Sequence, residues 1–250
     1  MAKQKGPIFL VGTIGGVNYY FRKGVALARV SGGGFNGKSI KIKANMGRVR
    51  ENYSEFGFCS RIKSRLRIAL MPFLHLNKDG SLHDRMMGLL MEIKELDIVS
   101  TRGQRKVGLG LDTPKGELIL RSFEFTPKCK VQERLGSEGV YNVVDYSYTV
   151  TKFSPGKIVF PAGATHAEVR IGILNFNFET LEEKLFLGAP LIIGYNFEPD
   201  SFVLEPEKVP EGDGIKIGFV GLHFCQEVGG VMYPFKGENT IGLEIVGTSR

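Results

Sequence analysis

The chain has 250 residues, of which 42% are apolar and 24% are charged, a balance that excludes an intrinsically disordered protein and allows a full hydrophobic core. Its formal net charge is +7, and no stretch approaches the roughly 20 apolar residues that a membrane-spanning helix needs. Residues 1–67 hold 14 basic and 2 acidic residues, a net +12, and the remaining residues hold 19 basic and 24 acidic ones, a net −5. This asymmetry is typical of a chain that meets a polyanion or an acidic protein surface.

The start of the chain is basic, and the apolar run that follows it at residues 8–11 is too short for the core of a signal peptide. The three cysteines, Cys59, Cys129 and Cys225, form no closely spaced pair, which predicts free buried thiols in a reducing compartment. We therefore expect a cytoplasmic protein, or one exported without a cleaved signal.

The first 50 residues predict short strands joined by glycine turns. Apolar and aromatic runs at residues 8–11, 17–22 and 25–30 are separated by glycines, as in a β-hairpin or small sheet. Basic and apolar residues alternate at residues 38–43, which predicts a further strand with one cationic face.

Two amphipathic helices are predicted next. Residues 52–74 have apolar residues at helical spacing, with basic residues beside that stripe, and Pro72 is expected to end or kink the helix. Ser81 is a candidate N-cap for a second helix that extends to about Leu96. Together they predict an antiparallel helical hairpin, which must bury its apolar faces against a sheet or a partner.

Residues 101–106 resemble a linker, so we expect a basic β-hairpin and helical hairpin region at residues 1–106 and a separate domain at residues 107–250. After this linker, short apolar runs alternate with turn residues, which predicts an antiparallel β-sandwich. The predicted fold class is mainly β (α+β). The candidate strands of the sandwich are residues 117–125, 141–152, 157–160, 167–178, 185–195, 201–204, 215–227 and 240–246.

One string matches the phosphate-loop pattern G-x-x-x-x-G-K-[ST], with Gly32, Gly37, Lys38 and Ser39 at its defining positions. In a true phosphate loop the backbone wraps the phosphates, the lysine reaches the terminal ones and the serine holds magnesium. That chemistry needs a helix directly after the loop, whereas residues 39–43 have the periodicity of a strand. A glycine-rich hairpin tip explains the match better than a nucleotide site.

The sequence has no other pattern that indicates catalysis or metal binding. The four histidines, at positions 75, 83, 166 and 223, lack the spacing of zinc ligands, and the Gly-x-Ser-x-Gly pattern of a nucleophilic serine is missing. We therefore expect no enzymatic activity, no cofactor and no metal.

The basic segment is the strongest signal. Aromatic residues such as Tyr20 and Phe35 lie among its cations, a combination that can track a phosphate backbone and stack bases. The same cations can instead dock on the acidic part of a neighbouring copy, and a repeated head-to-tail contact builds rings or filaments. The candidate interaction residues are Arg22, Lys23, Arg29, Lys38, Lys41, Lys43, Arg48, Arg50, Arg61 and Arg65.

Residues 48–57 read Arg-Val-Arg-Glu-Asn-Tyr-Ser-Glu-Phe-Gly and precede a basic helical segment. With the strings at residues 5–8, 12–15 and 224–230, they resemble a group of uncharacterised bacterial proteins that have a basic N-terminal hairpin, an R-x-R-E-N-x-S-E-F-G motif and a β-rich C-terminal part. The resemblance spans most of the chain and implies an architecture but no activity.

The leading hypothesis is a non-catalytic structural protein that self-assembles into a homo-oligomer or filament through its basic N-terminal arm and its sheet edges. The first alternative is a nucleic-acid-binding protein that uses the same basic strands and helix. A phosphate-loop enzyme that binds a nucleotide comes third. The expected partner is another copy of the chain, with nucleic acid as the alternative partner.

Overall fold

The computed structural model describes residues 2–32 and 37–250, and the chain forms two compact units, residues 1–50 and residues 51–250. The boundary between the two units lies after residue 50 and not at the predicted residue 106. The reason is that the helices before and after position 106 share one hydrophobic core with the later sheet. About 31% of the chain is strand and 29% is helix, and the strands pair antiparallel. The α+β class predicted from the sequence is therefore confirmed.

Helices and strands are numbered in chain order. The helices are α1 Gly37–Ile42, α2 Gly47–Ala69, α3 Met71–Leu74, α4 Leu82–Lys94, α5 Val107–Leu111, α6 Pro114–Arg121 and α7 Val131–Leu135. The strands are β1 Ala2–Lys3, β2 Gly12–Ile14, β3 Val17–Arg22, β4 Val25–Val30, β5 Gly139–Tyr141, β6 Tyr148–Val150, β7 His166–Phe176, β8 Glu183–Leu187, β9 Leu191–Gly194, β10 Phe202–Leu204, β11 Ile215–Val228, β12 Val231–Pro234 and β13 Ile241–Ser249.

Strands β1 to β4 form the sheet of the N-terminal unit, in the order β1-β4-β3-β2. Two-residue turns join β2 to β3 and β3 to β4, at Gly15-Gly16 and Lys23-Gly24, and all four turn residues have positive φ. Such turns match the right-handed twist of a hairpin, and three of the four positions are glycine because glycine adopts positive φ without strain. The predicted strands at residues 17–22 and 25–30 are confirmed, whereas residues 8–11 form no strand.

The prediction of a strand at residues 38–43 is wrong, because α1 occupies most of this stretch. Over six residues, alternation with period two does not distinguish a strand from a short helix. Arg50 donates from Nη1 to the carbonyl oxygens of Ile40, at 2.7 Å, and Lys43, at 3.0 Å. The guanidinium thereby satisfies carbonyls at the C-terminal end of α1, where a positive charge is favourable.

Helices α2 and α4 form the predicted antiparallel hairpin. The Sγ atom of Cys59 lies 3.8 Å from the carbonyl oxygen of Leu90, and one turn further along α2 Lys63 meets His83. Helix α2 ends at Ala69, and Pro72 lies in the first turn of α3, as expected of a helix-ending proline. Ser81 does precede α4, but its hydroxyl caps no backbone N–H of that helix.

The second unit has three layers. In the central sheet β11 pairs with β7 on one side and with β12 and β13 on the other, while β8 and β9 pair with β7. Alternate residues of β7 face opposite sides: Ile171 and Ile173 pack against the small sheet of β10, β6 and β5. Leu174 and Phe176 pack against helices α2 to α6. The predicted sandwich therefore corresponds to the two sheets, with helices covering the outer face of the larger one.

Four predicted strands differ from the structure. Residues 141–152 contain only the last residue of β5 and the short β6, and residues 185–195 span two strands, β8 and β9. Residues 117–125 were predicted as a strand, but α6 begins at Pro114 and Thr113 caps it, with its hydroxyl accepting from the Gly116 N–H at 3.0 Å. Threonine at the N-cap followed by proline is a helix-start signal, and here it overrides the alternating pattern of the following residues. Residue 157 is the last residue of a short 3-10 turn, Pro155–Lys157, and residues 158–160 form no strand.

Candidate assembly interface

The N-terminal unit has almost no core of its own. Among its described residues, 2–32 and 37–50, only Ala26 is buried. Large apolar side chains are instead exposed across the unit, and Phe9 and Phe21 contact each other edge to face at its surface, with ring centroids 6.0 Å apart. These exposed residues are Ile8, Phe9, Leu10, Val11, Ile14, Phe21, Val25, Val30 and Ile42.

The boundary between the basic and the acidic part of the sequence coincides with the boundary between the two structural units. Residues 1–50 contain ten Lys and Arg and no acid, a net +10, so the second unit, with 23 basic and 26 acidic residues, carries −3. All ten predicted interaction residues are exposed. Eight belong to the first unit, and Arg61 and Arg65 lie on the part of α2 that belongs to the second.

Several of these cations have contacts within their own unit. The Arg29 guanidinium lies over the ring of Tyr20, with its Cζ 5.6 Å from the ring centroid. Arg61 lies in the same way over Phe58, at 5.4 Å, and Arg65 makes an exposed ion pair with Glu183 at 3.5 Å. Such exposed contacts orient the side chains and leave most of their charge available to a partner.

The phosphate-loop match has a different local structure from the one predicted. Gly32 lies in a turn with φ of +76°, and Gly37, Lys38 and Ser39 form the first turn of α1. A helix therefore does follow the string, which removes the reason given above for rejecting it. Residues 33–36, at the centre of the string and including Phe35, lie outside the described residues.

A buried ionic cluster connects α2, α4 and the segment 95–106. The side chains of Glu55 and Lys94 are 0% and 2% exposed and form an ion pair, and Arg105 donates to both carboxylate oxygens of Glu55, at 2.8 and 2.9 Å. The N–H of Gly103 donates to the same carboxylate at 2.7 Å. The guanidinium of Arg105, together with Lys94, lowers the pKa of Glu55 to about 2, against the opposing effect of burial.

This cluster shows that residues 101–106 are not a linker. Besides the contacts of Arg105 and Gly103, Arg102 pairs with Glu51 of α2 at 3.3 Å. The Asp97 carboxylate accepts from the backbone N–H of Lys106 at 2.8 Å. The acids of the R-x-R-E-N-x-S-E-F-G string thus bind a segment 50 residues away in the sequence. The signal in the sequence was Glu55 itself, four residues before the buried Cys59 on the same helical face.

An acidic segment lies on the second unit at residues 198–213. It has six acids and a single basic residue, Lys208, and all six acids are exposed. Glu211 pairs with Lys184 at 2.6 Å, and none of the other five has an ion pair within the described ranges. The segment contains β10, an edge strand of the small sheet. The acids are Glu198, Asp200, Glu205, Glu207, Glu211 and Asp213.

The histidines have structural contacts. Burial lowers the pKa of His223, so its neutral ring donates from Nε2 to the carbonyl oxygen of Phe73 at 2.8 Å and joins α3 to β11. His166 lies 3.5 Å from the Glu227 carboxylate, and His83 contacts Lys63. Within residues 2–32 and 37–250 no group of His, Cys, Asp or Glu side chains is placed to hold a metal ion.

No helix in the described parts of the chain is long and apolar enough to cross a bilayer. Comparison with protein-family models, curated proteins and solved structures found no match to this chain.

Proposed function

We propose that this chain is a non-catalytic structural protein that self-assembles into a homo-oligomer or filament through its basic N-terminal unit. One observation carries the proposal: in the described part of residues 1–50 only Ala26 is buried, while nine large apolar side chains are exposed. A sheet needs a covered apolar face to be stable, and in a single chain this sheet has very little covered surface.

The balance between the cost of ordering the chain and the gain from burying apolar side chains also favours assembly. Ordering the backbone of one residue costs roughly 1–2 kcal/mol, whereas burying one Val, Leu, Ile or Phe side chain contributes about 1.5–3 kcal/mol. With Ala26 as the single buried residue among those that the structure describes in this unit, burial is too small to offset the cost of ordering. Docking on a neighbouring copy would bury side chains such as Ile8, Val11 and Val30, which are 72–78% exposed, and would supply the missing apolar contacts.

The distribution of charge indicates which surface of a neighbouring copy would bind the basic unit. The basic unit carries +10, and the acidic segment at residues 198–213 is the complementary surface on the second unit. Contact between two different surfaces of identical chains is heterologous, and such contacts propagate into rings or filaments. The edge positions of β2 and β10 in their sheets would also allow one copy to add a strand to another.

Charge reversal on each surface tests this contact. Glu205→Lys with Glu207→Lys reverses charge in the acidic segment, and Arg22→Glu with Arg29→Glu does so in the basic unit. Each variant alone should weaken assembly, because the changes lower the net charge of the basic unit from +10 to +6 or reduce that of the acidic segment from −5 to −1. Mixing the two variants should restore assembly, because each altered surface then meets an opposite one.

Sedimentation velocity measures both the loss and the recovery. Glu92→Lys, which reverses an exposed acid on α4 outside the acidic segment, is the matched control and should assemble like the wild type. Recovery in the mixture would identify the two surfaces as partners. If the mixture stays monomeric while Glu92→Lys assembles, the pairing of these surfaces is wrong.

Nucleic-acid binding is the second candidate, favoured by the complete lack of acids in residues 1–50 and by the contact of Arg29 with Tyr20. It predicts an absorbance ratio above that of pure protein after purification, and a gel shift that weakens steeply with salt. Self-assembly instead predicts oligomers that persist after nuclease treatment. For the third candidate, a nucleotide site, Lys38→Ala would have to abolish nucleotide binding.

A further inference from the structure

A cleft of about 380 Å³ runs along α2 on the second unit. Its residues on and after α2 recur every three or four positions and form one helical stripe, and one histidine of α4 closes it. We call it the α2 cleft. It is lined by Ser60, Lys63, Ser64, Arg67, Ile68, Met71 and His83.

Lys63 is the unusual residue of this cleft, because only 6% of it is exposed. Its Nζ lies 3.0 Å from Nε2 of His83. Because an ammonium can only donate, Lys63 is the donor of this hydrogen bond and Nε2 of His83 is the acceptor. Burial lowers the pKa of Lys63, the charge of Arg67 lowers it further, and Asp84 has a smaller opposing effect.

The positive charge of the cleft is compensated only in part, by the nearby Asp84. Across the described residues, no carboxylate lies within ion-pair distance of Lys63 or Arg67. The other buried lysine is a direct contrast, because Lys94 contacts the carboxylates of both Glu55 and Glu95. A buried cation is costly unless an anion contacts it directly, so the α2 cleft is prepared for an anion at ion-pair distance, which the described residues do not supply.

The remaining lining residues define the shape of that anion. Ser60 and Ser64 add hydroxyl donors on the same wall, and neither side chain has a hydrogen-bond partner within the described ranges. Towards the C-terminal end of the stripe, Ile68 and Met71 are 56% and 50% exposed. The cleft therefore combines a cationic, hydroxyl-lined end with an apolar end.

We propose that the α2 cleft binds a small organic phosphate monoester that carries an apolar group. The phosphate oxygens accept hydrogen bonds from Lys63 and Arg67, and the serine hydroxyls complete their coordination. The apolar group packs on Ile68 and Met71. Two cations match a phosphate dianion, which has more charge and more acceptor oxygens than a carboxylate. The site is independent of the proposed self-assembly, since it uses neither the N-terminal unit nor the acidic segment.

Isothermal titration calorimetry of the full chain tests this, with phenyl phosphate, inorganic phosphate and benzoate as the probes. Phenyl phosphate should bind most tightly, because inorganic phosphate lacks the apolar group and benzoate lacks the second charge. Arg67→Gln should weaken its binding about tenfold or more, as expected when a hydrogen bond to a charged group is lost. Lys63→Met should have a similar effect.

The matched control is Arg61→Gln, the same change of charge on the same helix but outside the cleft. It should alter binding less than twofold. Because Lys63 is buried, Arg67→Gln, at an exposed position, keeps the test valid if Lys63→Met does not fold. In the wild type, addition of phenyl phosphate should also shift the NMR signals of the His83 ring nitrogens. The reason is that the Lys63 ammonium, which donates to His83 in the free protein, would then donate to the ligand.

Three results would overturn the proposal. The first is no detectable binding of phenyl phosphate at millimolar concentration. The second is an equal loss of affinity in Arg61→Gln and Arg67→Gln, which would indicate attraction by net charge alone. The third is benzoate binding as tightly as phenyl phosphate, which would exclude a site that selects phosphate.

Discussion

Lys94 and Glu55 form an ion pair inside the second unit, with side chains that are 2% and 0% exposed. Arg105 and the Gly103 N–H bind the same carboxylate, so the pair joins two helices to the segment that follows α4. A buried carboxylate with this many partners organises its surroundings, because the Gly103 N–H would lose its acceptor and Lys94 and Arg105 would keep only the more exposed carboxylate of Glu95.

Glu55→Gln should therefore destabilise the second unit by about 3 kcal/mol, because it leaves the buried Lys94 with only the more exposed carboxylate of Glu95. Denaturant unfolding measures the loss. The control is Glu179→Gln, which removes a carboxylate from an exposed pair with Lys106 and should leave the unfolding midpoint unchanged. Equal midpoints for wild type and Glu55→Gln would show that the cluster contributes no stability.

The same carboxylate predicts the acid stability of the protein. The pKa of Glu55 in the folded protein is about 2, below its ordinary value of 4.5. A lowered pKa stabilises the folded state above the ordinary value, and this contribution disappears as the pH falls from 4.5 towards 2. It amounts to about 3 kcal/mol. Unfolding free energies measured between pH 6 and pH 3 should fall less steeply in Glu55→Gln, and parallel curves would contradict the assignment.

The ring of Phe73, in α3, packs against the central sheet at two glycines of that sheet, Gly172 and Gly221. A Cβ added at Gly221 or Gly172 would overlap the Phe73 ring, so Gly221→Ala should destabilise the protein by about 1–3 kcal/mol. Gly88→Ala is the opposite case, since it lies inside α4 with open space around it, and it should stabilise by about 0.5–1 kcal/mol. Thermal unfolding of both variants measures these opposite shifts. A stabilising Gly221→Ala would show that Phe73 does not occupy this place.

All three cysteines are free and buried, and burial raises the pKa of the Cys59, Cys129 and Cys225 thiols to about 11. Because the thiolate is the reactive form, a thiol reagent at pH 8 should label none of them in the native protein and all three after denaturation. Absorbance of the released thiol counts the labelled sites. Rapid labelling of one native thiol would place it at the surface.

Secondary structure was predicted most accurately where a periodic pattern extended over many residues. Helix α4 and the long strands β7 and β11 were found within a few residues of their observed limits, because a pattern repeated many times defines a face. By contrast, β12 was not predicted, and β8 and β9 were predicted as a single strand. Prediction from the sequence failed at short stretches such as residues 38–43, because six residues fit both the period of a strand and the period of a helix. It also failed at residues 117–125, where a strand was predicted and a helix begins at Pro114 after its Thr113 cap.

The polar interior was harder to predict, because its partners are distant in the sequence. Glu55 and Arg105 are 50 positions apart, and neither residue type alone indicates a buried cluster. The α2 cleft was missed for a similar reason: Lys63 looked like one more cation on a basic helix, and only the packing of α4 shows that it is buried. By contrast, the charge of the N-terminal unit is visible in the composition and does not depend on packing.

Light scattering of the purified full chain tests the central claim most directly, with the molar mass measured over a range of protein and salt concentrations after nuclease treatment. Self-assembly through the basic unit predicts a mass above the 27.6 kDa of one chain at low salt, rising with protein concentration. The mass should fall as added salt screens the charges between copies. A mass of one chain at high protein concentration, unchanged by salt, would contradict the account.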